Sequence, residues 1–192
     1  MTDGDEKSLI ERAIKGESSA FGSLYDRYQP SIYRFVLIKV SRREDAEDIT
    51  HQAFLHAWQH ISTYTHRGFP FSSWLYRIAR NKVIDHYRTR GREPYLEELD
   101  AESFVEETNL HVTLDVRMTL ARVHRALKHL KEEHHDVIVM RFIEDLSVKE
   151  TAAALGKSEG AVKLIQHRAI KELKRVLESH KEPPTGHTAS AT

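Results

Sequence analysis

Three lysines and a histidine, Lys163, His167, Lys171 and Lys174, recur at intervals of four, four and three residues near the end of the chain. At about 100° per residue they line one side of a helix, while Val162, Ile165, Ala169, Leu173 and Val176 line the other. Such a helix packs through its apolar stripe and offers spaced cations to a polyanion. Leu164 and Arg168 share the cationic side. An apolar Leu164 there is wasteful unless it touches something apolar on the ligand, such as a thymine methyl in a major groove. Lys157 and Ser158, just ahead of this helix, add a phosphate-seeking ammonium and a capping hydroxyl. The plainer reading is an amphipathic surface helix with solvated lysines.

A second set combines different chemistry. Trp74, Arg77, Asn81 and Arg88 are spaced by three, four and seven residues, so they share one side of a helix whose other side carries Phe71, Leu75, Ile78 and Ala79. An indole beside guanidinium and amide groups can stack an unpaired base, grip phosphates and read a base edge. That suits single-stranded nucleic acid. The plainer alternative is a half-buried tryptophan flanked by solvated arginines.

The elements that position these groups are helices. Periodicity predicts them at 6–15, 18–40, 43–60, 71–90, 116–130, 133–143, 147–155 and 159–178, and no stretch alternates as a strand, so the fold class is all-α. Ser147 and Glu150 form a capping box, Gly156 suits a left-handed helix end, and Ser158 caps the next helix. The turn between these two helices is short, as a helix-turn-helix requires. Pro30 is expected to kink or divide the second helix. Residues 62–70, with Gly68 and Pro70, read as a loop.

Composition narrows the classes. With no cysteine, disulfides, zinc fingers and iron–sulfur clusters are excluded. No apolar run approaches the roughly 18 residues that span a bilayer, and the first residues lack a secretory pattern, so a cytoplasmic protein without membrane insertion is expected. The zero net charge conceals a segregation: residues 1–92 hold 15 basic and 11 acidic side chains, 93–115 hold none and 8, and 116–192 hold 14 and 10. Local sign governs binding over about one Debye length, so two mildly cationic lobes flank an anionic strap. The expected organisation is a first domain over 1–92, an acidic linker over 93–115, a second domain over 116–178 and a disordered tail over 179–192.

The segments DAEDITHQAFLHAW (45–58), WLYRIARNKVIDHYR (74–88) and LSVKETAAALGKSEGAVKLIQHRAIKEL (146–173) together resemble the extracytoplasmic-function (ECF) sigma factors, the short bacterial members of the sigma-70 family. The resemblance covers about 18–92 and 117–178. It implies two small helical domains, like sigma regions 2 and 4, that give core RNA polymerase its promoter specificity. The first domain would bind the clamp helices of the largest subunit through Asp48, His51 and Gln52. It would then capture the non-template minus-ten strand with Tyr64, Phe69, Phe71, Trp74, Arg77, Asn81 and Arg88, the loop at 62–71 forming a pocket for a flipped base. Flipping costs a few kcal/mol of unstacking, which stacking and edge hydrogen bonds must return.

The second domain would read the minus-thirty-five duplex with Lys163, Leu164, His167 and Arg168, with Lys157, Ser158, Lys171 and Lys174 toward phosphates, and would meet the polymerase flap region. His51 stands where the family commonly has Gln, and Leu164 where it commonly has a small polar residue. The linker would lie in the polymerase nucleic-acid channel. An anti-sigma factor is a partner to be sought. No cofactor, no metal and no active site are expected.

Two other readings compete. A helix-turn-helix regulator acting without polymerase would leave the Trp74–Arg88 face without a task. A helical metalloenzyme is suggested by 13 histidines, including His56 and His60 one helical turn apart, but no H-E-x-x-H or paired E-x-x-H pattern supplies converging ligands.

Overall fold

The structure, a computed structural model, describes residues 3–65, 68–90 and 114–179. The linker expected over 93–115 falls almost wholly outside the described residues, and the tail beyond Ser179 lies outside them. Among the described residues eight α-helices follow in order: α1 (Asp3–Ile14), α2 (Ser18–Val40), α3 (Arg43–His60), α4 (Phe71–Arg90), α5 (Leu114–Lys128), α6 (Glu132–Ile138), α7 (Val148–Leu155) and α8 (Glu159–Ser179). No strand occurs among the described residues.

In the first lobe α2, α3 and α4 pack on one another, with α1 against α2. The long α2 buries Leu24, Ile32, Phe35, Val36 and Ile38, and α3 contributes Ile49, Ala53, Phe54 and Ala57. The expected stripe of α4, Phe71, Leu75, Ile78 and Ala79, is buried as a set. Burying each of the larger apolar side chains stabilises the fold by about 1.5–3 kcal/mol before entropy is charged against it. The helix α2 runs through Pro30 without dividing. Pro30 lies exposed there, so the backbone carbonyl it frees faces water.

In the second lobe the turn chemistry forms as the residues dictate. The Ser147 hydroxyl accepts from the Glu150 amide at 3.1 Å and the Glu150 carboxylate accepts from the Ser147 amide at 2.7 Å. Gly156 closes α7 at φ 66°, and the Ser158 hydroxyl accepts from the Ala161 amide at 3.2 Å. The helix expected over 133–143 differs: α6 stops at Ile138 and the chain widens into a π-turn over Val139–Ile143. There the Glu144 amide donates to the Val139 carbonyl at 3.0 Å and Leu146 to Met140 at 2.9 Å. Asp145 then takes a left-handed conformation, φ 52°, which a short polar side chain tolerates.

The two lobes close on each other. Val139, Met140, Leu146 and Ala154 of the second lobe belong to the same apolar core as the first-lobe residues Phe35, Leu75 and Tyr76. The rest of the second lobe is held by two smaller clusters, around Leu127, Leu130, Ile138 and Ala169, and around Val137, Ala152 and Val162.

Candidate nucleic-acid interface

The helix α8 presents what its spacing predicts. Val162, Ala169 and Val176 are buried, and Ile165 and Leu173 are half-buried against the core. Lys163, Leu164, His167, Arg168, Lys171 and Lys174 are all exposed, with Leu164 half open to solvent at 50%. Two polar struts fix the roll of the helix: Glu172 pairs with His134 Nδ1 at 2.5 Å, and the Gln166 side-chain oxygen accepts from Arg141 Nε at 3.1 Å. Arg141 also donates to the Leu146 carbonyl and so ties the π-turn to α8. Lys157 differs from the other lysines: it pairs with Glu133 at 2.7 Å, which holds that carboxyl below its usual range through the hydrogen bond and then the ammonium charge. Ser158 spends its hydroxyl on the helix cap.

In the first lobe the candidates divide into two layers. Phe71, 1% exposed, and Tyr64, 9% exposed, are core residues in this arrangement, so neither ring can meet a base as it stands. They act as a floor: the Tyr64 and Phe71 rings stand 5.1 and 5.4 Å from the Trp74 ring, fixing the half-buried indole. Phe69, Arg77, Asn81 and Arg88 are exposed, the last three on α4 with Trp74. Arg88 pairs with Asp85 at 3.0 Å one turn back. Arg77 donates to the Ala153 carbonyl of α7, and Lys149 of the second lobe lies 5.7 Å from the centre of the Phe69 ring. The second lobe therefore touches the aromatic and cationic face at two points.

On α3, Asp48, His51 and Gln52 are exposed together, and the Gln52 amide donates to Asp48 at 2.8 Å. Asp45, by contrast, is buried near the start of α3, where its charge meets the positive end of the helix and Arg42 at 3.9 Å. Leu55 lies exposed at 49%, one turn beyond His51 and Gln52, and was not singled out by the sequence. Its signal was an apolar residue out of phase with Ala53, Phe54 and Ala57. His56 and His60 stack at 4.1 Å, and among the described residues no group of three or more His, Asp or Glu side chains could hold a metal ion. Among those residues no helix is long and apolar enough to cross a membrane.

The seam between the lobes carries the charges that sequence reasoning missed. Glu144, its side chain fully buried, accepts from Arg34 Nε at 2.8 Å, Arg34 Nη2 at 2.7 Å and the Tyr76 hydroxyl at 2.9 Å. Asp136, also fully buried, pairs with the buried Lys39 and with Arg80 Nε at 2.5 Å. Burial opposes ionisation of Asp136, but the Lys39 and Arg80 charges and hydrogen bonds outweigh it and hold its carboxyl below the ordinary value. The neighbouring His135 is pushed well below the usual imidazole range, first by burial and then by the Lys39 charge.

The fold defines a two-lobed helical protein whose second lobe is a helix-turn-helix unit. The Sigma-70 region 2 family matches residues 24–93, and the Sigma-70 region 4 family matches 126–175. The ECF RNA polymerase sigma factor BldN of Streptomyces coelicolor is 40% identical over 172 residues, covering 88% of this chain and 64% of BldN. SigW of Bacillus subtilis is 30% identical over 184 residues, covering 89% of this chain and 96% of SigW. The structure of CnrH in complex with the cytosolic domain of CnrY superposes with a TM-score of 0.67 at 27% identity, covering 92% of this chain and 99% of the other. The chain belongs to the ECF RNA polymerase sigma factors. The matches span both lobes, which removes the case for a regulator built on the helix-turn-helix alone.

Proposed function

We propose that this chain binds core RNA polymerase in the cytoplasm and carries it to promoters by touching DNA in two forms. The outer face of α8 enters the minus-thirty-five major groove, with Lys163, Leu164, His167 and Arg168 toward base edges and Lys171 and Lys174 on phosphates. The Trp74 face of α4, with Phe69, Arg77, Asn81 and Arg88, takes the non-template strand of the minus-ten element as it opens. Tyr64 and Phe71 act from beneath, as the floor on which the indole rests. The exposed patch of Asp48, His51, Gln52 and Leu55 docks on the clamp helices of the largest polymerase subunit. Residues 1–92, 93–115 and 116–178 act as strand-capturing lobe, strap and duplex-reading lobe. The chain has no active site of its own; it contributes binding free energy and the polymerase does the chemistry. By likeness to CnrH, whose structure holds the cytosolic domain of CnrY, a protein partner binds this chain, and an anti-sigma factor is the partner to be sought.

The observation that carries this reading is the simultaneous exposure, on one family member, of a cationic recognition helix and a separate indole-centred face. Reconstitution with core polymerase, followed by selection from a random promoter library, tests it. Enrichment of a bipartite element with fixed spacing is expected, and initiation at no site would refute it.

A further inference from the structure

Leu164 is out of keeping with the side of α8 on which it stands. Val162 and Ala169 are 0% exposed on the packed side, whereas Leu164 is 50% exposed among Lys163, His167, Arg168 and Lys171, themselves exposed. At about 100° per residue, Gly160, His167, Arg168 and Lys171 all fall within about 60° of it. A helical side chain leans toward the N-terminus, so Leu164 lies over the turn that holds Gly160. Gly160 has no side chain to cover it, and a Cβ there would meet nothing within 4 Å. The leucine therefore stands as an isolated apolar knob, open on its N-terminal side and flanked by Lys163, Arg168 and Lys171. Those charges select a polyanion as what covers it, since an apolar protein surface would desolvate them without partners. In a major groove the apolar group that a leucine can meet is the C5 methyl of thymine; the groups that otherwise distinguish the base pairs there are hydrogen-bond donors and acceptors.

We propose that Leu164 makes α8 a reader of the methyl group at pyrimidine C5, and that this contact, rather than a hydrogen bond, sets the base preference at one position of the minus-thirty-five element. This rests on the reading of α8 as the duplex-reading helix. A cytosine methylated at C5 carries the same group at the same edge of the groove, so the helix accepts thymine or 5-methylcytosine there and disfavours unmethylated cytosine. Arg168 lies four residues on, about 6 Å along the helix axis and on the same side. Its guanidinium suits guanine O6 and N7. Bases along a strand are about 3.4 Å apart, so the methyl-bearing pyrimidine falls within about two base pairs of that guanine. Withdrawing one methyl group from water carries about a fourfold gain in affinity.

The test uses the complex of the full chain with core polymerase and the minus-thirty-five duplex enriched from the random library. Each thymine is replaced in turn by deoxyuridine, which removes the C5 methyl and leaves base pairing intact, and affinity is read by fluorescence anisotropy. One position should lose about fourfold in the wild type, and the loss should vanish in Leu164→Ser. At that position 5-methylcytosine should bind about fourfold tighter than cytosine in the wild type and no tighter in Leu164→Ser. Equal affinity for thymine and deoxyuridine at every position, a deoxyuridine loss that persists in Leu164→Ser, or an enriched element with no thymine in either strand would overturn the proposal. A deoxyuridine loss with no gain from 5-methylcytosine would overturn the methyl as the group read. Arg168→Ala separates this from the parent reading. If it relaxes a guanine preference while deoxyuridine is tolerated everywhere, only the methyl contact fails; if it changes neither affinity nor preference, α8 is not the duplex-reading helix.

Discussion

Replacing Lys171 and Lys174 by alanine gives the sharpest test of the duplex-reading helix, because the structure separates its free cations from a spent one. Lys163, Arg168, Lys171 and Lys174 stand exposed on α8 and pair with no carboxylate among the described residues, whereas Lys157 is held by Glu133 at 2.7 Å. Two phosphate-neutralising cations, Lys171 and Lys174, contribute about −1.8 to the log–log salt slope. Between about 50 and 200 mM salt that is roughly a 12-fold loss of affinity. Removing both should reduce the slope of the whole complex by about 1.8 and its loss of affinity over the same range by about 12-fold. Fluorescence anisotropy with the polymerase-bound chain and a promoter duplex measures this as a difference, so the contribution of the polymerase cancels. The relative affinities for variant minus-thirty-five sequences should not move, because phosphate contacts position the helix and do not read it. A slope unchanged to within about 0.3, against the predicted change, would refute the assignment of this face to DNA.

Other perturbations test other links. Trp74→Ala should impair open-complex formation, read by permanganate footprinting, more than duplex binding read by gel shift, as the proposed role of the indole on the unpaired strand requires. Gly156→Ala should destabilise the second lobe by about 1–2 kcal/mol in urea unfolding, all of it from the left-handed backbone at φ 66°, because a Cβ there meets nothing within 4 Å. Acidification should destabilise the fold: burial lowers His124 to about 4 and holds His135 well below its ordinary value, so the unfolded chain takes up the protons first. Stability should be fully present above about pH 6.5 and decline below it by about 1.4 kcal/mol per pH unit for each histidine, and a flat stability profile between pH 7 and 5 would contradict the burial of both. Leu55→Glu should weaken co-purification with core polymerase while sparing duplex binding.

How much was legible follows from the range of each interaction. The ends of α7 and the start of α8 were readable because a cap, a left-handed glycine and a second cap are decided within a few residues of sequence. The two sides of α8 and the stripe of α4 were readable because burial on a helix has a period. The π-turn was not, since Val139–Ile143 continues the apolar pattern of α6 and the pairing of Glu144 with Arg34 just beyond it joins residues 110 positions apart. The floor role of Phe71 was half visible: its place in the core stripe of α4 was right, and the expectation that the same ring rims a pocket conflicted with it. Lys39 and Asp136 left no local trace at all. They lie 97 residues apart, and charged side chains read one at a time are sent to the surface.

The seam also accounts for the puzzle of a DNA-binding chain with no net charge. Eight of its acids fall in residues 93–115, and Asp136 and Glu144 are buried between the lobes with Glu132 at the edge of the same cluster. What remains on α8 is cationic in the range over which a phosphate senses charge.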